Sequence, residues 1–225
     1  ANMKIIDVKQ GTYEWLAARV GVPTASELDN LITPLWKLRT GAMPSSYLAK
    51  KLAEKWIGEP IHTWSGGSME QGSVLEDEAL PWLEFELGVT LESPGFITKD
   101  DGCFGCSPDG WIPKRDSGVE LKCPEIHTHV RWLLAGVVPP DHVAQVQGSM
   151  YATGAKTWTF VSYCRRLPPL IVPVRRDPEA QDAIGVAVSC FRDDFAEAWD
   201  ALVRRNGGAE PVRRAAKVED EDYVF

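Results

Sequence analysis

Asp109, Glu120 and Lys122 are the residues whose types and spacing could do chemistry. They sit in two short strand-like runs, Asp109-Gly-Trp-Ile-Pro113 and Val119-Glu-Leu-Lys-Cys123, joined by a turn expected at Lys114-Arg-Asp-Ser117. In such a hairpin the paired residue numbers sum to about 231, which sets Asp109 near Lys122 and Trp111 near Glu120. Side chains alternate faces along a strand, so Glu120 and Lys122 share one face and Leu121 points the other way. Two carboxylates and an ammonium group on one face can hold a hard cation and position a water. Oxygen ligands without histidine favour Mg²⁺, with Mn²⁺ as a substitute, over Zn²⁺. The spacing alone also suits a plain surface hairpin with a Glu/Lys pair. Its context is more specific: Ser107-Pro-Asp-Gly110 puts Asp109 at a constrained turn entering a strand, and Val119-Glu-Leu-Lys-Cys-Pro124 stops its strand at a proline.

The elements that must position these residues follow from periodicity. Thr24-Ala-Ser-Glu27 reads as a helix start, with Thr24 or Ser26 as N-cap. Leu31 to Pro44 reads as a loop, and Ser45 to Trp56 as a helix with Lys50, Lys51 and Lys55 largely off its apolar stripe. A second, acidic helix is expected over Met69 to Leu87 after the Gly66-Gly67 break. Gly95 to Lys99 reads as a strand, Asp141 to Tyr151 as a helix, Thr157 to Tyr163 and Leu170 to Val174 as strands, and Asp177 to Arg205 as a long helix. The pattern is α/β, a central mixed sheet flanked by helices in a single domain. That domain is expected over residues 1–208, with 209–225 a charged, mobile C-terminal tail.

Composition excludes little. A net charge of −8 argues against a nucleic-acid partner until its distribution is read. Residues 1–58 carry eight Lys/Arg against five Asp/Glu, while the remainder carries sixteen against twenty-seven. A basic segment can line one groove of an acidic protein. No apolar run approaches the ~20 residues that span a bilayer, and the N-terminus has no basic-then-apolar signal pattern. The expectation is a cytoplasmic protein with no membrane partner and reduced cysteines.

The S-P-D-G of Ser107–Gly110 and the E-L-K-C-P of Glu120–Pro124 resemble the PD-(D/E)XK nuclease superfamily. Within it the chain is similar to the lambda exonuclease and YqaJ-like viral recombinase (alkaline exonuclease) family. The likeness runs from about Gln10 to Gly208. It includes Trp15, Arg19-x-Gly-x-x-Thr-Ala-Ser26, Gly72-x-x-x-Glu76 and Ala144-Gln-Val-Gln147. The resemblance implies that Asp109, Glu120, the Leu121 carbonyl and Glu76 hold metal, and that Lys122 orients the attacking water. Gln145 then lines the site, although Gln147 shares a helical face with Tyr151 in a Q-x-x-x-Y pattern and is an alternative. Arg19, aided by Ser26 and with Trp15 in the same motif, matches a phosphate contact. Where the family pattern has a tyrosine three residues before the glutamine, this chain has His142, one helical turn from Gln145. His142 is therefore read either as a contact to DNA phosphate or the water, or as a supporting residue behind the site.

By the same resemblance the activity is a Mg²⁺-dependent 5′→3′ exonuclease on double-stranded DNA. It would release mononucleotides and leave 3′ tails for a phage-type single-strand annealing protein. A homotrimeric ring and a phage or prophage setting in a bacterial host are implied too. Two other readings are open. One is a restriction-type endonuclease of the same fold. The other is a non-catalytic zinc ribbon from Cys103-x-x-Cys106, Cys123 and His127.

Overall fold

The computed structural model describes residues 3–61 and 68–211, with the side chains of residues 68–74, 76 and 77 outside the description. The expected Gly66-Gly67 break and most of the expected C-terminal tail lie outside the described residues.

Two sheets form the β structure. The mixed sheet has the order β4(Gly110–Ile112), β5(Ser117–Lys122), β6(Thr157–Ser162) and β7(Leu170–Arg175). Its β5–β6 pair is parallel, and its outer pairs are antiparallel. A parallel pair needs a crossover, and here α4(Ile126–Ala135) and α5(Pro140–Thr153) supply it. The second sheet is antiparallel, β1(Met3–Ile6) beside β2(Phe96–Lys99) beside β3(Gly105–Cys106). The remaining helices are α1(Tyr13–Ala18), α2(Ala42–Ile57), α3(Ser68–Leu87) and α6(Pro178–Arg205).

The two faces of the mixed sheet are covered differently, following the strand alternation. Ile112, Val119, Leu121 and Val161 face one way and meet Ala79 and Leu83 of α3. Trp111, Trp158 and Phe160 face the other way and meet Val146 and Met150 of α5. Glu120 lies opposite Phe160 in register and therefore belongs to the α5 side.

Two glycines make this packing possible. At Gly118 a Cβ would lie 2.2 Å from the Trp158 ring, so only glycine lets that indole cross β5. At Gly148 a Cβ would lie 3.0 Å from Leu28 and 3.1 Å from Ala25. This brings a 3₁₀ turn, Ala25–Asn30, hard against α5.

Several boundaries differ from expectation. Helix α2 begins at Ala42, because Pro44 fits a first turn that needs no donor there. Helix α5 likewise starts on Pro140, with Asp141 in its first turn, and ends at Gly154, whose φ of 77° closes the C-terminus.

Candidate active site

The hairpin carries the site, in a register different from the expected one. Gly110 pairs with Val119 and Ile112 with Ser117, so paired numbers sum to 229. Pro113 opens a 3₁₀ turn and Asp116, at φ 48°, closes it, so Ser117 is already strand. Asp109 therefore lies across from Glu120 rather than Lys122. The slip preserves side-chain parity, so Asp109, Glu120 and Lys122 still share one face.

Asp109 ends the ladder. Its backbone N–H donates to the Val119 carbonyl at 3.1 Å. Its carboxylate Oδ2 accepts the Leu121 N–H at 2.6 Å in place of a strand partner. The Lys122 carbonyl turns to β6, accepting the Tyr163 N–H at 2.9 Å. Carbonyls alternate along a strand, so that of Leu121 projects toward the β4 side, where Asp109 stands. Burial raises the Asp109 pKa, against the opposing pull of Lys122 and the Leu121 N–H.

Glu120 is 1% exposed and is the hub. Its Oε1 lies 2.5 Å from the Lys122 ammonium and 2.6 Å from Gln145 Nε2, which donates to it. Gln147 points elsewhere: it donates to the Arg175 carbonyl at 2.9 Å and accepts the Asp177 N–H at 3.1 Å. Gln145 thus faces the carboxylates, and Gln147 ties α5 to β7 and α6. His142 is hydrogen-bonded to Gln145 and lies flat on Phe160, with ring centroids 5.6 Å apart. Burial, and then the Lys122 charge, lower its pKa to about 4. The ring is neutral near pH 7 and backs Gln145.

Trp15, Arg19 and Ser26 form a second group beside the first. Arg19 donates to Thr24 Oγ1 and Ser26 Oγ, each at 3.3 Å. Its guanidinium sits 4.2 Å above the Trp15 ring. Trp15 Nε1 donates to Ser107 Oγ at 2.8 Å, and Gln10 Nε2 to the Pro108 carbonyl at 2.7 Å. These bonds fasten the group to the segment that leads into Asp109. Thr24 does occupy the N-cap position, but the element after it is a six-residue 3₁₀ turn rather than the α-helix expected from the sequence. The Glu27 N–H is used by the Thr24 carbonyl at 3.0 Å, so what the segment offers an anion is chiefly side chains.

Glu76 lies on α3, but its side chain is outside the described residues. The helix around it is held by Glu78. That carboxylate accepts from Tyr163 OH at 2.6 Å and from Arg165 at 2.5 and 2.9 Å. The N-terminal half of α3 therefore lies at the end of β5 and β6, beside Lys122. Among the described residues no three His, Cys, Asp or Glu side chains gather as a metal cluster. The donors present, two carboxylates and a strand carbonyl, nevertheless suit a hard divalent cation, with Glu76 as the carboxylate that would complete the set.

The zinc-ribbon residues do not assemble. Cys106 is buried in the antiparallel sheet near the Ser149 carbonyl, at 3.9 Å. Cys123 packs on the α3 side of the mixed sheet. His127 is exposed and paired with Glu125. The spacing matched a ribbon, but Cys106 and Cys123 belong to different sheets.

The sequence reading missed Thr24 and Ser107 as polar partners, the Glu78–Tyr163–Arg165 contact, and a buried Glu27–Lys51–Glu54 cluster. Lys51, expected on the outer side of α2, is 3% exposed. The signal was present in Glu27 and Glu54, since a lysine can be buried when carboxylates meet it.

The comparisons with known proteins agree with this geometry. The family model of the YqaJ-like viral recombinase domain matches residues 14–156. The chain belongs to that family. Among solved structures it is similar to LHK-Exo, an alkaline exonuclease from Laribacter hongkongensis, at 28% identity and a TM-score of 0.76. It matches LHK-Exo in complex with dAMP at 30% identity and a TM-score of 0.77. Each match covers 88% of this chain and 99% of the other. A phage-related exonuclease from Haemophilus somnus 129PT shares the fold at 16% identity, with a TM-score of 0.59 over 82% of this chain and 96% of the other. No curated protein matches. The fold of this YqaJ-family chain is the PD-(D/E)XK nuclease fold, with the mixed sheet between α3 and α5 as its centre.

Proposed function

We propose that this YqaJ-family nuclease is a Mg²⁺-dependent 5′→3′ exonuclease on double-stranded DNA. It would release mononucleotides and leave 3′ single-stranded tails. The observation that carries the reading is the joining of Asp109, Glu120, Lys122 and Gln145 on one strand face, with the Arg19 group fastened beside it through Ser107 and Pro108. An endonuclease has no need of a terminus reader next to its metal ligands; an exonuclease does.

Asp109, Glu120, the Leu121 carbonyl and Glu76 would hold the metal. When bound, Mg²⁺ supplies Lewis-acid activation of water and neutralises charge on the scissile phosphate. The remaining work falls to side chains of this chain. The Lys122 ammonium, anchored on Glu120, can hold the attacking water by hydrogen bond and offset charge developing on the phosphate oxygens. Gln145 fixes the Glu120 rotamer by donating to Oε1. Arg19 presents a planar fork that suits a terminal 5′ phosphate, which carries more charge and more acceptor oxygens than a diester. Its stacking on Trp15 limits where that fork can point.

The tails would serve a phage-type annealing protein. A homotrimeric ring around the duplex would hold the enzyme on its track, in the cytoplasm of a phage-bearing bacterium. No helix among the described residues is long and apolar enough to cross a membrane.

Digestion of duplex labelled at either the 5′ or the 3′ end tests the reading. Early release of labelled mononucleotide from the 5′ label, in Mg²⁺ and not in EDTA, supports it. Release from the 3′ label, or internal cuts in closed circles, contradicts it.

A further inference from the structure

The loop that carries the Arg19 group is pinned to α2 at two points. Glu54 Oε2 accepts the Gly21 N–H at 3.2 Å. Glu27 Oε2 accepts the Thr24 hydroxyl at 3.1 Å. Lys51 bridges the two carboxylates, 3.0 Å from Glu27 and 3.2 Å from Glu54. Lys50 pairs with the other Glu27 oxygen at 3.2 Å, and the Tyr47 hydroxyl donates to Glu27 at 3.1 Å. At Gly21, φ is 71° and a Cβ would meet that of Lys55 at 3.2 Å, so the turn lies close on α2.

The directions of these bonds matter. A hydroxyl has one proton. Thr24 gives its proton to Glu27, so its oxygen is left as an acceptor, and Arg19 Nη2 donates to it. Without Glu27 the Thr24 hydroxyl would be free to rotate its proton toward Arg19. The charges agree with this role. Burial acts to raise the Glu27 pKa, but Lys51, Lys50 and Arg19 outweigh it and hold the pKa at about 2. The carboxylate is ionised across any working range. With Lys50 and Lys51 set against Glu27 and Glu54, Arg19 is the excess positive charge of the cluster.

We propose that Glu27 is the positioning residue of the terminal-phosphate site, orienting Thr24 so that the Arg19 fork is set before DNA arrives. The proposal rests on the reading of Arg19 as the contact to the 5′ phosphate. A preformed fork avoids ordering a long side chain on binding. Its loss therefore shows as weaker capture of 5′-phosphorylated ends.

The test measures kcat and KM on duplexes differing only in a 5′ phosphate or a 5′ hydroxyl, for wild type, Glu27→Gln and Thr24→Val. Circular dichroism and melting establish that each variant is folded, and Thr24→Val keeps the proposal testable if Glu27→Gln does not fold. The phosphate-to-hydroxyl ratio of kcat/KM should fall about tenfold in both variants, carried by KM on the phosphorylated duplex. A folded Glu27→Gln or Thr24→Val protein with the wild-type ratio overturns the proposal. So does an equal loss on both substrates, which is what a merely structural role gives. A wild-type ratio near one overturns the Arg19 reading itself, and this proposal falls with it. A wild-type preference that survives the substitutions overturns only the role of Glu27.

Discussion

Replacing His142 with Phe separates its two contributions. The imidazole lies on Phe160 and meets Trp132 edge-on at 5.3 Å, and a phenyl ring can keep both contacts. What it removes is the hydrogen bond to Gln145 and the capacity to take a proton. In the unfolded chain the ring protonates near its ordinary value of 6.5, whereas in the fold it waits until about 4. Folding stability from this group is therefore full above about pH 6.5 and is lost as pH falls toward about 4. The gap corresponds to about 3 kcal/mol at full burial. For a half-buried ring screened by solvent it is about 1–2 kcal/mol. The assay is thermal melting in EDTA at about pH 7.5 and about pH 5, for wild type and His142→Phe. Acidification should lower the wild-type Tm by about 2–8 °C more than that of the variant. Parallel changes in the two proteins would refute the buried, neutral ring. Turnover at neutral pH should drop only about fivefold, the scale of one neutral hydrogen bond on Gln145.

Further substitutions address the rest of the site. Lys122→Ala should lower kcat about 10²-fold or more while metal binding, followed by calorimetry, persists; recovery of the rate at saturating Mg²⁺ would assign the lysine to metal affinity instead. Gln145→Ala should cost activity with little change in Tm, whereas Gln147→Ala should lower stability by about 2–4 kcal/mol through its buried partners on β7 and α6. Denaturant melts paired with rate assays separate these two outcomes. Gly118→Ala should be among the most damaging single-methyl changes, because its Cβ would fall 2.2 Å from Trp158. An unaltered denaturation midpoint would contradict that packing.

Much of this was legible in the sequence for physical reasons. Helices α2, α3, α5 and α6 announced themselves by apolar period and by proline and glycine at their ends. The face shared by Asp109, Glu120 and Lys122 was readable because strand alternation survives a slip of the paired sum from 231 to 229. The register itself was hidden, since it depends on Pro113 and Asp116 forming a tight 3₁₀ turn. Helix α4 was not read at all. Its large apolar side chains Ile126, Val130 and Leu134 are exposed, so it lacks the usual link between periodicity and burial. Strand β3 is only two residues long and is defined by its partners, β2 and Thr24, rather than by its own pattern. The choice between Gln145 and Gln147 waited on tertiary contacts, because both are glutamines on one helix and only the neighbours of each distinguish them. The Glu27 cluster escaped for a similar reason. A lysine on a helix face reads as solvated until two carboxylates from elsewhere are seen to meet it.

The most direct test of the account is Mg²⁺-dependent digestion of 5′-phosphorylated linear duplex by wild type, Asp109→Asn and Glu120→Gln, with metal binding followed in parallel. Both variants remove a carboxylate charge at nearly constant shape. The account predicts folded proteins with weakened Mg²⁺ binding and no detectable release of mononucleotides. A folded Asp109→Asn enzyme that digests DNA at the wild-type rate with wild-type Mg²⁺ dependence would contradict it.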